Sequence, residues 1–173
     1  MDIELDPPNG VGPLRIGMAR VEANAALEQL RDSDTISASD VPGRHIIRPS
    51  GLMMSIDCMH EQLQAVEVHR PETNADTVRF RGLDVFNLPA HQLIERLREE
   101  IEIRRDDDDP ASYCASDLVL SLWRPFAADD EPHEAQGYYF STVLVAAPGY
   151  YDTPAQAAER ARRDNQSTGE TAS

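Results

Sequence analysis

Apolar residues in the first part of the chain follow two different periods. Between residues 19 and 30 they recur at helical spacing, which predicts one helix with its apolar face on Ala23, Ala26, Leu27 and Leu30. Further along, apolar and polar residues alternate over 52–58 and again over 66–69, a pattern typical of half-buried strands. Because only a short link around His60 separates these two strands, the sequence predicts an antiparallel hairpin.

Two shorter segments flank this helix and hairpin. Residues 2–6 alternate Ile3 and Leu5 with acids, and Pro7 with Pro8 ends the alternation, so this segment is predicted to be an edge strand. Residues 45–48 precede Pro49 and are predicted to add a third strand beside the hairpin.

The second part of the chain repeats this order. Asn87 followed by Pro89 is a favourable helix start, and the stripe that follows is apolar at Ala90, Leu93, Ile94, Leu97 and Ile101. Alternation over 118–123 predicts a strand, and a further strand is predicted over 138–147 after an acidic loop.

The repeated order predicts an α+β fold. Two tandem helix-plus-antiparallel-hairpin units, residues 1–71 and 72–152, would share one globular domain with the helices packed on one face of an antiparallel sheet. A faint likeness between residues 12–18 and 82–88 supports this interpretation. Residues 153–173 are predicted to be a C-terminal tail, helical at first and disordered at its polar end.

Composition narrows the classes of partner. The 173 residues carry a net charge of -15 and no lysine, which argues against direct binding to nucleic acid. The apolar runs are far shorter than the about 20 residues that span a bilayer, and the acidic N-terminus differs from a signal peptide. A cytoplasmic location is therefore expected, with Cys58 and Cys114 as reduced, half-buried thiols.

Strand parity predicts a second sheet face that the helices leave open. Trp123 and Tyr139 would lie on this face beside Asp57 and Glu67, and aromatic groups amid carboxylates suit a partner that carries basic side chains. The predicted partner-binding residues are Met53, Asp57, Glu67, His69, Trp123 and Tyr139 on the sheet, and Asp129, Asp130 and Glu131 in the acidic loop. The alternatives are that Trp123 packs beneath a loop or the C-terminal segment and that the acidic loop is merely solvated.

Motifs for catalysis are missing from the sequence. It contains no nucleophile elbow, P-loop or dinucleotide fingerprint, and the run 106–109 lacks the glycine and distal glutamate of a calcium loop. No cofactor or metal is predicted. The alternative is a small metal- or ligand-binding module or an enzyme that uses His45, Cys58, His60 and His69, although a structural zinc site needs four ligands in close pairs. Residues 149–152 are predicted to fold two tyrosines back on the sheet edge as a clamp.

One short motif resembles known families. The Gly17-Met18 turn, followed by a helix containing Val21, resembles the start of modules in the beta-lactamase-inhibitor-protein-like and BamE-like families. The wider opening over residues 10–18 resembles small actinobacterial proteins, some of which look like immunity proteins of contact-delivered toxins. The resemblance implies a helix packed on an antiparallel sheet and a binding role, although the chain shows neither the export signal nor the lipid attachment of those families.

These observations together predict a non-enzymatic, acidic binding protein. Its most concrete form is a bacterial immunity protein or inhibitor that covers a basic protein partner such as a toxin, without nucleic acid or membrane. The second alternative is a structural or regulatory subunit that binds a nonbasic partner.

Overall fold

The computed structural model describes residues 1–31, 36–38 and 44–169. Helices, antiparallel strand pairs and two sheets make this an α+β fold, as predicted from the sequence. Of the helices in this part of the chain, none combines the length and apolarity that a membrane crossing requires.

The described residues of the first half form one helix and the first seven strands. Three short strands precede the helix, and four antiparallel strands follow it. Their bounds are β1 (Asp2–Asp6), β2 (Gly10–Val11), β3 (Leu14–Arg15), α1 (Arg20–Gln29), β4 (Ile36–Ala38), β5 (Arg44–Ile47), β6 (Met53–Met59) and β7 (Gln62–His69).

The second half gives a similar order, with a short strand pair, a helix and four more strands. The elements are β8 (Thr77–Phe80), β9 (Leu83–Asp84), α2 (Ala90–Arg98), β10 (Arg104–Arg105), β11 (Tyr113–Ala115), β12 (Leu120–Trp123), α3 (Ala135–Tyr138), β13 (Thr142–Ala146) and α4 (Pro154–Gly169).

The larger sheet joins the two halves at its centre. Its eight strands lie in the order β10-β11-β12-β13-β7-β6-β5-β4, so that each half contributes four consecutive strands. The last strand of each half, β7 and β13, pair antiparallel with Val68 opposite Val143. The predicted hairpin is β6 and β7, and the predicted third strand is β5.

The smaller sheet corrects the prediction for residues 2–6. This segment is a strand, but it is not an edge strand, because β1 lies between β2 and β8 in the order β3-β2-β1-β8-β9. Its pairing with β8 is parallel, with Ile3 opposite Val78. The first strand of one half is therefore held by the first strand of the other.

The apolar core formed by the described residues lies on one face of the eight-stranded sheet. It joins inward side chains of that sheet, such as Met54 and Val145, to Leu27 of α1, Leu93 of α2 and Ile3 of the smaller sheet. The predicted inward parity of β6, β7, β12 and β13 is confirmed. The covering layer differs from the prediction, because it contains the five-stranded sheet as well as the helices.

The start of the second-half strands was predicted incorrectly. Residues 116–118 form a short 3-10 turn and Val119 has a left-handed backbone with φ 46°, so β12 begins at Leu120. The strand predicted over 138–147 begins only at Thr142, because the preceding residues form α3. At α2, Pro89 occupies the N-cap position, while the Asn87 side-chain amide donates to Asp84 Oδ2 at 2.9 Å.

The two cysteines are free and half-buried, as expected for reduced thiols. Cys58 lies on β6 and Cys114 on β11, with three strands between them in the sheet. At about 4.8 Å per strand this separation is about 19 Å, far beyond the reach of a disulfide.

The C-terminal segment is helical further than predicted. Helix α4 continues through residues 166–169, for which the composition predicted disorder, and the end of the predicted tail at 170–173 lies outside the described residues. Near its start, Arg160 Nε donates to Asp152 Oδ2 at 2.8 Å, which ties the helix to the end of the preceding turn.

Candidate binding face

The face of the eight-stranded sheet that points away from the core is here called the open face. Strand register places one continuous row of side chains across it, and paired residues on neighbouring strands share a face. From β10 to β5 this row is Arg104, Cys114, Ser121, Leu144, Glu67, Ser55 and His45. Strands from both halves of the chain therefore form the open face.

A second row lies two residues further along the central strands. Trp123 stands opposite Thr142, which is opposite His69, and His69 is opposite Met53. Trp123 is 44% exposed. The structure therefore places the single tryptophan on the open face, as its parity predicted, and not beneath the helices.

Glu67 lies near the middle of the open face. Its neighbours across the sheet are Leu144 on β13 and Ser55 on β6. His69 Nε2 is 3.4 Å from Glu67 Oε1, an ion pair only when the imidazole is protonated, and His69 Nδ1 is 3.2 Å from Thr142 Oγ1. Among the residues that the structure describes, no arginine lies within ion-pair distance of Glu67.

A groove of about 680 Å³ follows this part of the open face. Leu144 of β13 lines it in the middle, Glu67 and His69 of β7 on one side, and Ser121 and Trp123 of β12 on the other. Tyr151 and Asp106 also contribute to its lining. Apolar, aromatic and acidic groups therefore meet in one open depression.

Two tyrosines from the C-terminal segment lie against one end of the open face. The Tyr150 hydroxyl donates to Asp57 Oδ2 at 3.0 Å, and burial together with this carboxylate raises the pKa of Tyr150 to about 12. The rings of Tyr150 and Tyr151 meet edge to face, with centroids 5.0 Å apart. Asp57 is thus already the partner of a phenol, which weakens its predicted role as an ion-pair partner for another molecule.

Tyr151 is the aromatic group of this face that the sequence pattern missed as a binding residue. It is 63% exposed, and burial of part of the ring, together with the nearby Glu67 and Cys114, raises the pKa of its hydroxyl against the opposing effect of Ser121. The pattern around Gly149 indicated two tyrosines at the sheet edge but did not show which one remains available.

Tyr139 does not occupy the position that strand parity gave it. It follows α3 instead of lying within a strand, so the alternation argument does not apply to it. The Arg70 guanidinium stacks over its ring at 4.2 Å from the centroid, and Arg70 also donates to the Ala135 carbonyl. Tyr139 is half-buried in this contact.

The three acids predicted in the loop after β12 have different environments. Asp129 Oδ1 accepts from the Arg124 guanidinium at 2.6 Å, and this hydrogen bond holds the pKa of Asp129 below its usual range. Arg124 is only 1% exposed, so Asp129 serves an internal ion pair. Asp130 and Glu131 are exposed.

The four residues of the metal alternative are not brought together. His60 lies in the turn after β6, Cys58 packs against the core, and His45 and His69 belong to the open face. Within the described ranges, the one cluster with ligand atoms close enough for a metal ion is Glu131, His133 and Glu134, all exposed and none of them among those four.

Comparison of the chain with family models, with curated proteins and with solved structures found no match.

Proposed function

We propose that this chain is a non-enzymatic binding protein that docks a basic protein partner on its open face. In its most concrete form it is a bacterial immunity protein or inhibitor, acting in the cytoplasm, that covers the working site of a toxin. The observation that supports this proposal best is an exposed indole, Trp123, in the same groove as the Glu67 carboxylate on a face that spans both halves of the molecule.

The open face has the surface chemistry of a docking site. A large aromatic group with a polar edge contributes much contact area for little loss of conformational entropy, and tryptophan is enriched among residues that dominate binding energies. Within the described residues, the Tyr150–Asp152 turn and the start of α4 lie against one end of this face, and Asp106 and Ser112 of the loop after β10 border the groove. A partner therefore has access to the central strands.

Charge favours a basic partner. The net charge of -15 attracts cationic proteins over distances of about a Debye length and accelerates their encounter. Because opposite potentials across an interface favour correct docking, the acidic loops beyond the open face, including Asp130 and Glu131, would act mainly on the association rate.

The two alternatives have less support. A metal- or ligand-binding module would need His45, Cys58, His60 and His69 on one surface, and the structure separates them. A regulatory subunit for a nonbasic partner differs in its salt dependence, since its association rate would stay nearly constant as ionic strength rises. The resemblance to inhibitor-type and BamE-like modules agrees with a binding role and remains part of this proposal.

The decisive experiment first asks whether a toxin domain is encoded beside the gene for this chain, as the immunity form of the proposal requires, and then uses that domain. Titration of the purified domain with the full chain should inhibit the domain, and Trp123→Ala should weaken binding about thirtyfold, as expected for an aromatic residue that dominates an interface. Val21→Ala is the matched control, because Val21 is 74% exposed on α1 in the layer that covers the other side of the large sheet. Absence of inhibition, or equal effects of the two substitutions, would contradict the proposal.

A further inference from the structure

Resting on the function proposed above, we infer that the groove on the open face receives one arginine side chain from a protruding loop of the partner. Glu67 is its ion-pair partner, and Trp123 and Tyr151 contact its guanidinium and stem. This assigns the groove a particular chemical group and not only a general preference for basic proteins.

The carboxylate of Glu67 lacks a permanent cation. Its contact with His69 is an ion pair only in the protonated state of the imidazole, and the chain contains no lysine. Arg104, in the same cross-strand row as Glu67, pairs with Glu102, and Arg70, which follows His69 along the chain, stacks on Tyr139. A carboxylate surrounded by partly apolar groups gains more from an incoming cation than one in open water does.

The shape of the groove suits a long side chain with a planar end. Glu67 and Ser121 lie on either side of Leu144 in the same cross-strand row, two strand spacings or about 10 Å apart. Leu144 offers an apolar floor for the methylene stem, and Ser121 and Tyr151 line the groove beside it.

The aromatic groups favour arginine over lysine. A guanidinium is planar, binds a carboxylate through two parallel hydrogen bonds and stacks on aromatic rings, whereas an ammonium is compact and more strongly hydrated. Trp123 and Tyr151 both line the groove and are both substantially exposed, so their rings are available to an incoming group.

The test uses the full chain and three peptides. Each is a disulfide-closed hairpin with a single variable residue at its turn, which is arginine, the uncharged analogue citrulline, or lysine. Because Trp123 is the only tryptophan, its fluorescence reports binding at the groove without a label. The arginine peptide should change this emission in a saturable way, and the citrulline peptide should bind at least tenfold more weakly because it lacks the charge.

Matched variants assign the ion pair. Glu67→Gln should weaken binding of the arginine peptide about tenfold, whereas Glu95→Gln, an equal change of charge on the exposed side of α2, should leave it unchanged. Tyr151→Leu should reduce the preference for arginine over lysine. Thermal midpoints of the variants, compared with that of the original chain, check that each remains folded.

The outcomes separate this inference from the proposed function. Equal binding of the arginine and citrulline peptides, no saturable response, or equal effects of Glu67→Gln and Glu95→Gln would overturn the arginine site. Equal binding of arginine and lysine would overturn the choice of a guanidinium. If the toxin domain still requires Trp123 after such a result, the docking function stands without the arginine site; if it requires neither Trp123 nor Glu67, both fail.

Discussion

Equivalent strands in the two halves are connected in opposite ways. Strands β6 and β7 are joined by the two residues His60 and Glu61, whose φ angles are 50° and 61°. Strands β12 and β13 occupy the corresponding places in the second half, but residues 124–141 with α3 separate them. The first connection is local, whereas the second is built around a buried charge.

Arg124 holds the long connection together. Its guanidinium donates to Asp129 Oδ1 and to the Gly137 carbonyl, each at 2.6 Å, and lies 5.7 Å from the centre of the Phe140 ring. A buried arginine of this kind specifies a conformation, because few other arrangements offer its Nη1 both a carboxylate and a carbonyl oxygen. The conformation of a tight turn is set by its own backbone angles. The conformation of a long connection is set by side-chain contacts between residues further apart in the sequence.

The largest effect is expected at the long connection. Arg124→Ala removes the buried guanidinium and its contact with Phe140, and should lower the free energy of unfolding by about 3 kcal/mol. Urea unfolding followed by circular dichroism measures this change. Arg104→Ala, in an exposed position of β10, should cost less than about 0.5 kcal/mol. A loss below about 1 kcal/mol for Arg124→Ala would show that the connection holds without its charge.

The contribution of a second buried ion pair to stability can be measured through its dependence on pH. Asp76 is 2% exposed and accepts from Arg48 Nε at 2.8 Å and from Ser50 Oγ at 2.5 Å. Burial alone would raise the pKa of Asp76, but Arg48, Ser50 and the terminal ammonium outweigh it and lower the pKa from 3.8 to about 2.

Because the folded protein binds this proton more weakly than the unfolded chain, the stabilisation is complete above pH 4 and is lost as the pH falls toward 2. The expected loss is about 2 kcal/mol, measured as the free energy of unfolding in urea at pH 5 and pH 2. Asp76→Asn should be less stable at pH 5 and should show a smaller fall with acid. An unchanged pH profile in this variant would assign acid sensitivity to other carboxylates.

A substitution in the short connection between β6 and β7 should increase the stability of the protein. Both turn residues have a left-handed backbone that glycine adopts freely, so Glu61→Gly should raise the free energy of unfolding by about 1 kcal/mol, even though it removes the exposed pair with Arg20. Glu95→Gly is the matched control within α2, where the same replacement should destabilise by about 1 kcal/mol. Destabilisation by Glu61→Gly in urea unfolding would mean that its side chain contributes more than the turn strain costs.

The smallest effect is expected at the tyrosine contact on the open face. Tyr150→Phe removes the hydrogen bond to the exposed Asp57 and should cost about 0.5 kcal/mol. Because the pKa of Tyr150 is about 12 in the folded protein against 10 ordinarily, this contribution is complete below pH 10 and lost as the pH rises toward 12. The difference between the two proteins in urea unfolding should therefore shrink above pH 10 and then reverse in sign, because the partly buried phenol resists ionisation in the folded protein and phenylalanine does not titrate. Tyr138→Phe is the control, and a similar loss there would point to a general effect of removing a phenol.

Local patterns predicted the parts of the fold that depend on local forces. The apolar stripe of α2 and the alternation of β6 and β7 report directly which side of an element is buried. The same alternation in β1 could not show that this strand is central, because burial of a face is independent of which strands lie alongside. Its partner β8 begins at residue 77 and becomes a neighbour only through tertiary folding.

The candidate site was predictable to a similar extent. Trp123 lies in a regular strand, so parity placed it correctly on the open face. Tyr139 was misplaced because α3 interrupts the segment before β13, and no apolar period in that segment predicted a helix. Tyr151 could not be assigned from a pattern, since its position depends on the turn at Gly149, with φ 88°, and on contacts with distant strands.

The central pairing of β7 with β13 makes the halves mutually dependent. A cut between residues 71 and 72 would expose an unpaired hydrogen-bonding edge at β7 in one fragment and at β13 in the other, and would separate β1 from β8 as well. Such fragments would tend to self-associate through the unpaired backbone N–H and C=O groups of these edges. During evolution, substitutions in the outer strands would leave this central pairing intact. A substitution in β7 or β13 would have to remain compatible with the strand opposite.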